Sequence, residues 1–391
     1  MGGLVTPFLP VRISLQLLSN SGPKNEAQQP NLGQGAGERV FKLPNSRLAM
    51  ISCVITNLNG ERWLPGLLRS IDIALAGIKS EEVEIILVDD GSTDSSCAIF
   101  AAHASNRFTW RLIRNPQNLG WSASVNRGIA SARGDPVLVL SNDLTVDPDS
   151  ICNMIAAVRH DLRIGVAQFN SLSLHDPTRQ DSGLNFLDRF GYAYSRLPGA
   201  LVEDVSFAEG VAFAVTRRAI AHAGLLDDSY FMEYDDMDFS WRILLSGFRV
   251  VFVPDAKIFH ARGGTVGQTY FTRKLRNIEY YTRNHVVTIY KNFTARNFFI
   301  AITGVIVIES IKSAFFWITR RSGIANANMR GLMEGLASIP SSSSRRKAIQ
   351  LHRQTTDTEI LEAMHPFRPL DLVAFMRYQR VNARYIMGGR R

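Results

Sequence analysis

The sequence predicts an α/β fold: a Rossmann-like sheet with helices on both faces, followed by a helical C-terminal extension. Short apolar runs alternate with helix-period segments between residues 49 and 160. Several of those runs stop abruptly at carboxylate or amide side chains, as parallel strands do where their carboxyl ends face a ligand. No internal repeat competes with this architecture.

Met50 to Ile55 is a continuous apolar run suited to a buried parallel strand, and 56–61 is a polar loop. Trp63 to Ile78 has helical spacing through Leu64, Leu67, Leu68, Ile71 and Leu75. A strand over 83–88 and a helix over 95–104 follow, with Thr93 and Asp94 as caps. Strands at 110–113 and 136–140 then alternate with helices at 122–132 and 150–159. After residue 160 the rhythm loosens. Strands are expected at 164–169 and 207–216, with a loop-rich stretch at 170–205 and a short helix at 217–223. A helix over 235–246, a strand over 249–253 continuing through 256–260, and a basic helix over 270–290 complete the pattern.

Phe298 to Ile308 carries no charge, and Glu309 and Lys312 then lie one turn apart, close enough to pair. The apolar stretch is shorter than the ~20 residues of a comfortable membrane span. An interfacial helix flanked by arginines is the preferred reading, with core packing or spanning as alternatives. The segment 341–347 reads as an exposed linker, and the last fifty residues as a basic, weakly helical tail. Residues 1–47 read as a disordered leader lacking a secretory signal. The chain therefore divides into that leader, a domain over 48–292 and a basic helical region over 293–391.

At 391 residues and 46% hydrophobic content, the chain can bury a substantial core. Cys53, Cys97 and Cys152 lie far apart, which argues against a disulfide framework or a zinc site. The net charge of +9 is concentrated in residues 271–391, which leaves the first 270 slightly acidic. A basic region beside apolar helices fits an anionic membrane surface, and no nucleic-acid-binding motif accompanies it.

Four polar clusters fall at strand ends or helix starts: Asn57 to Glu61, Asp89 to Ser92, Asn142-Asp143 and Asp235-Asp236. Paired carboxylates beside small turn residues can bond a base or ribose, or hold a divalent cation. A plain strand end with an N-cap accounts for 83–94 taken alone. The run Ile55-Thr56-Asn57-Leu58-Asn59-Gly60-Glu61 is followed by Val88-Asp89-Asp90-Gly91-Ser92 and Asn115-Pro116-Gln117-Asn118-Leu119-Gly120. Asn126-Arg127-Gly128, Leu140-Ser141-Asn142-Asp143, the acidic run 231–238 and Trp241-Arg242 come after them. In this order the blocks resemble the family 2 glycosyltransferases of the GT-A fold, particularly their rhamnosyltransferase-like branch, over residues 49–292.

That resemblance implies a mixed GT-A sheet and an inverting transferase moving a sugar from a nucleotide-diphosphate donor to a glycan or lipid-linked acceptor. Thr56, Asn57, Asn59, Glu61, Asp89, Asp90, Ser92, Asn118, Gly120, Asn126 and Asn142 would bind the nucleotide sugar. Asp143 would hold Mg²⁺ or Mn²⁺, with His260 ligating the metal or touching phosphate. Ser141 replaces the first Asp of a full D-x-D, which leaves fewer protein charges for the cation. Asp236 would be the general base. Glu209, Gly210, Asp235, Trp241 and Arg242 would line the acceptor or donor-sugar pocket, with Asp235, Asp236 and Asp238 sharing one cleft. Arg283-Asn284 and Lys291-Asn292 resemble branch features whose role is helix packing or lipid contact. By the same resemblance the setting is the cytoplasmic face of the cell membrane, in envelope polysaccharide synthesis, with peripheral membrane association. A catalytically inactive nucleotide-sugar-binding protein is the competing reading.

Overall fold

A computed structural model describes residues 50–79, 82–105, 107–262 and 270–364. The expected leader and the end of the basic tail lie outside the described residues. The first half of the chain alternates as its pattern predicts. Strands β1 (Ile51–Asn57), β2 (Val83–Asp89), β3 (Thr109–Arg114) and β4 (Val137–Ser141) are parallel, in the order β4-β1-β2-β3. Helices α1 (Leu64–Ala74), α2 (Ser96–His103), α3 (Trp121–Ser131) and α4 (Ser150–His160) alternate with them. Successive side chains of β1 serve opposite layers. Ile51, Cys53 and Ile55 join a core with Leu67 and Ile71 of α1 and Met154 of α4, while Val54 meets Val125 and Ile129 of α3. A Cβ at Gly128 would lie 2.2 Å from Val54 Cγ1, so glycine lets α3 lie against the strand.

The sheet is mixed. Strand β11 (Ala212–Val215) inserts antiparallel between β4 and β6 (Ile164–Ser173), and β12 (Arg249–His260) runs parallel to β6. The strand expected at 249–253 continues through 256–260 as one element. The short strand β5 (Leu144–Val146), invisible in the sequence, pairs with the end of β12 and sets Leu144 opposite His260. The stretch read as loop-rich holds β7 (Gln180–Ser182), β8 (Leu184–Leu187), β9 (Ala193–Arg196) and β10 (Glu203–Asp204). These strands are too short to show a period. Helices α5 (Arg217–Ala223) and α6 (Asp235–Leu245) cover the face already occupied by α3.

The C-terminal region is helical: α7 (Tyr270–Asn292), α8 (Ala295–Ile318), α9 (Ser322–Ala337), α10 (Ser343–His352) and α11 (Asp357–Glu362). The expected linker at 341–347 enters α10 instead. It is held by packing: Ser342 is buried and Arg346 donates to the Tyr290 carbonyl. Helix α8 is two-faced. Phe298, Ile302, Val305 and Phe316 are buried, and the adjacent Glu309 and Lys312 pair inward at 2.8 Å. Tyr192 and Asn328 add hydrogen bonds to Glu309. Phe299, Ile300, Val307, Ile311, Trp317 and Ile318 point outward and are exposed.

Candidate active site

The carboxyl ends of β1, β2 and β4 converge on Asn57. Its Nδ2 donates to Asp89 Oδ1 at 3.0 Å and Ser92 Oγ at 3.1 Å, and its Oδ1 accepts from Asn142 Nδ2 at 2.9 Å. Asp89 has no exposed surface, and Ser92 N–H and Arg114 engage its second oxygen. Asp90 accepts from Asn115 Nδ2 at 2.7 Å, Leu119 N–H at 2.8 Å and Gly120 N–H at 3.1 Å. Both aspartates therefore bind the chain's own groups, with Asp90 shaping the 115–120 loop. Asn118 Oδ1 also accepts from Gly120 N–H at 3.0 Å. Gly120 has φ +94, and a Cβ there would lie 2.5 Å from the Phe231 carbonyl oxygen.

Thr56 lies one residue inside β1, flanked by Val88 and Ser141. Asn59 Oδ1 accepts from Thr93 N–H at 2.9 Å. Glu61 Oε2 accepts from Ser95 N–H at 3.0 Å while its own N–H donates to Asp94. These residues clamp the loop after β1 to the loop after β2. Asn126 exchanges two hydrogen bonds with the Leu226 backbone, so its amide fixes a remote loop to α3.

A second cluster forms where β5 meets the end of β12. His260 Nε2 lies 3.3 Å from Asp143 Oδ1, and its Nδ1 lies 2.9 Å from Asp181 Oδ2. Arg262 bridges Asp181 and Glu209. Burial opposes a charged imidazole, yet hydrogen bonds to the two aspartates raise His260 to about 9. The donor set suits a divalent cation. Asp181 can hold Nδ1–H, so a cation would have to displace only the Nε2 proton that faces Asp143, an arrangement common behind metal-binding histidines. Among the described residues, no group of three or more His, Cys, Asp or Glu side chains is gathered as a ready cage. Phosphate oxygens or water would have to complete the coordination.

The third cluster opens α6. Asp236 is half-buried; it accepts from Gly210 N–H at 2.9 Å and from its neighbour Met237 N–H at 2.8 Å. Val211, next in chain, accepts from Ser141 N–H, so the Asp236 and Asp143 clusters share an edge. Burial raises the Asp236 pKa, and the Asp235 charge raises it further. Asp235 is buried and accepts from Ser122 Oγ at 2.6 Å. Burial followed by the charges of Asp235 and Asp236 lifts Glu233 to about 8.

Three expectations fail at α6. Asp238 does not share the cleft: it is fully buried and bonded to Arg242, Lys291 and Asn292. Arg242 is spent on Asp238 and the Ala223 carbonyl. Trp241 packs edge-on against Phe293 in the core beneath α7. Helical spacing relates these residues to Asp236, but Lys291 and Asn292 of α7, Phe293 beyond its end and the Ala223 carbonyl claim their side chains. Asp181, Arg262, Ser122 and Glu233 were missed. Asp181 sits 79 residues from His260, and no local spacing announces the contact.

Comparison with known proteins fits this geometry. The glycosyl transferase family 2 model matches residues 52–222. That stretch, a little under half of the chain, is similar to a family 2 glycosyl transferase domain. An undecaprenyl-phosphate 4-deoxy-4-formamido-L-arabinose transferase of Pseudomonas fluorescens is 38% identical over 111 residues, 28% of this chain and 32% of that protein. A poly-beta-1,6-N-acetyl-D-glucosamine synthase of Staphylococcus aureus is 27% identical over 195 residues, 49% of this chain and 45% of that protein. The chain thus spans less than half the length of these curated relatives. Among solved structures, GalNAc-T7 with UDP, GalNAc and Mn²⁺ superposes with TM-score 0.57 at 16% identity, over 81% of this chain and 57% of that one. The mannosyltransferase PcManGT of Pyrobaculum calidifontis, in complex with GDP-Man and Mn²⁺, gives 0.50 at 13% identity, over 88% and 89%. The fold is GT-A. The family 2 match ends before α6 and β12, so Asp236 and His260 lie beyond it.

Proposed function

We propose that the chain is an inverting glycosyltransferase of the rhamnosyltransferase-like branch, using a nucleotide-diphosphate sugar such as dTDP-rhamnose or a UDP-sugar. The observation that carries this is Asp236, a partly exposed carboxylate held by two backbone N–H groups on the edge shared with Asp143. In the ionised form it accepts the proton of an acceptor hydroxyl. The acceptor oxygen then bonds to the sugar's anomeric carbon as the bond to the diphosphate breaks on the opposite face, which inverts the centre. Asn57, Asp89, Asp90 and the 115–120 loop form the nucleotide wall. Asp143 and His260 are the residues to hold Mg²⁺ or Mn²⁺, which would supply positive charge to the leaving diphosphate. Gly210 fixes the base, and Glu209 with Arg262 borders the sugar pocket.

The acceptor class is a glycan or a lipid-linked carrier, in envelope polysaccharide assembly at the cytoplasmic face of the membrane. The outward apolar face of α8 supports peripheral association, while the inward Glu309–Lys312 pair argues against a span. A panel of dTDP-rhamnose, UDP-hexoses and UDP-galactofuranose, scored for Mn²⁺-dependent thermal stabilisation, tests donor binding. Transfer with the stabilising donor should vanish in Asp236→Asn while the thermal shift persists. A donor that binds wild type without turnover favours the inactive-binder reading.

A further inference from the structure

Asn284, Thr288, Lys291 and Asn292 lie on one face of α7 at helical spacing, and each is at most 1% exposed. A buried polar helix face is costly unless its groups find partners. This one is directed at residues 227–238. Asn284 Nδ2 lies 2.7 Å from the Glu233 carbonyl, 2.9 Å from that of Met232 and 3.2 Å from that of Tyr230. Arg283 donates to Asn284 Oδ1 at 2.9 Å and reaches the carbonyls of Ser229 and Tyr230 at 3.1 Å. Thr288 meets the Tyr230 hydroxyl at 2.9 Å. Lys291 pairs with Asp227 and Asp238, and Asn292 donates to Asp238 at 3.0 Å.

The backbone so held is strained. Phe231, Glu233 and Tyr234 have φ of 64°, 68° and 68°, positive values that are unfavourable for a residue with a side chain. From the other side, Trp121 N–H bonds the Phe231 carbonyl at 2.8 Å. The strained turn runs straight into Asp235 and Asp236, so its conformation sets the direction of the first turn of α6. Released from α7, it would relax toward negative φ and swing that turn toward solvent.

We propose that the buried polar face of α7, centred on Asn284, is a positioning device that holds the left-handed turn at 231–234 and so aims Asp236 into the cleft. The inference rests on reading Asp236 as the base, and makes Asn284 a positioning residue that acts through backbone carbonyls. The titratable groups around Asp236 are Asp235 and Glu233 on its own segment and Glu209 on the segment leading into β11.

The test is carboxyl ¹³C NMR of aspartate-labelled full-length chain, with the Asp236 resonance assigned by its loss in Asp236→Asn. Asn284→Ala should lower the Asp236 midpoint by about one pH unit or more, as the carboxylate gains water. With a working donor, kcat should fall on the order of 100-fold at unchanged KM, the scale of a small misplacement of a reacting group. Asn328→Ala is the control: it deletes a buried amide of α9 that bonds Glu309 and Thr282, and should leave the Asp236 midpoint in place. An unmoved midpoint in Asn284→Ala, or equal shifts in both variants, overturns the proposal. If Asn284→Ala does not fold, Thr288→Val removes the nearer of the two partners of the Tyr230 hydroxyl and leaves Asp238; a smaller downward shift supports the proposal and no shift overturns it. The titration reads geometry whether or not a sugar is transferred. A failed donor panel would therefore sink the proposed activity and leave this result standing.

Discussion

Replacing Lys291 with Met should expose how strongly α7 is tied to the acidic segment. Lys291 is 1% exposed, with its ammonium 2.6 Å from Asp227 and 3.0 Å from Asp238. Methionine keeps much of the stem and deletes the charge, which leaves two buried carboxylates without their shared cation. Breaking a buried pair in this way costs about 3–5 kcal/mol. Asp227 gives an independent figure. Burial is the largest influence and pushes its pKa up, but the Lys291 charge and hydrogen bond, with Ser229 and Arg345, together overcome it and hold it at about 2. Against an ordinary aspartate, that depression contributes about 2.5 kcal/mol at neutral pH. Arg345, 3.5 Å away and 43% exposed, supplies only a screened share.

The sign follows from the depressed value. The stabilisation is complete above the unfolded pKa and is lost as pH falls through the folded one. In Lys291→Met only Ser229 and Arg345 are left to oppose burial, so most of the depression goes and the variant has little of it to lose. Urea denaturation should show a gap of roughly 3–5 kcal/mol at pH 7, narrowing by at least about 1 kcal/mol at pH 3. A gap of equal size at both pH values would refute the argument that Lys291 acts by charge.

The acid limb of kcat/KM should lie well above the ordinary carboxylate range, because burial and then Asp235 raise Asp236, whose ionised form is the active one. A limb near pH 4 would remove Asp236 as the base. Asp181→Asn should weaken Mn²⁺ about 10–100-fold by freeing the His260 ring, as read by Mn²⁺-titrated thermal shift with nucleotide present; unchanged affinity would dismiss that role. Val307→Glu with Ile311→Glu, both on the exposed face of α8, should abolish flotation with anionic vesicles without lowering the melting temperature. Equal flotation of variant and wild type would remove α8 as the contact.

The parallel half of the sheet was legible because β1, β2 and β4 are buried almost throughout and α1, α3 and α4 are amphipathic, so these elements carry their own period. Asn57, Asp90, Asn142 and Asp143 were legible for a related reason: each ends a strand or opens a turn, where a polar residue after an apolar run stands out. Trp241 and Arg242 misled because helical spacing tells which residues share a face but not which neighbour claims it. The short strands between 170 and 205 gave no period, and Asp181 was lost with them.

By itself the sequence determined the alternation of β1 to β4 with α1 to α4 and the acidic punctuation at the strand ends, since both arise from near neighbours in the chain. Only the tertiary structure decided that β11 enters antiparallel, that Asp181 backs His260, and that α7 turns Asp238 inward while Asp236 stays partly exposed. Those outcomes depend on contacts between residues dozens of positions apart, where burial and charge pairing decide and local pattern is silent.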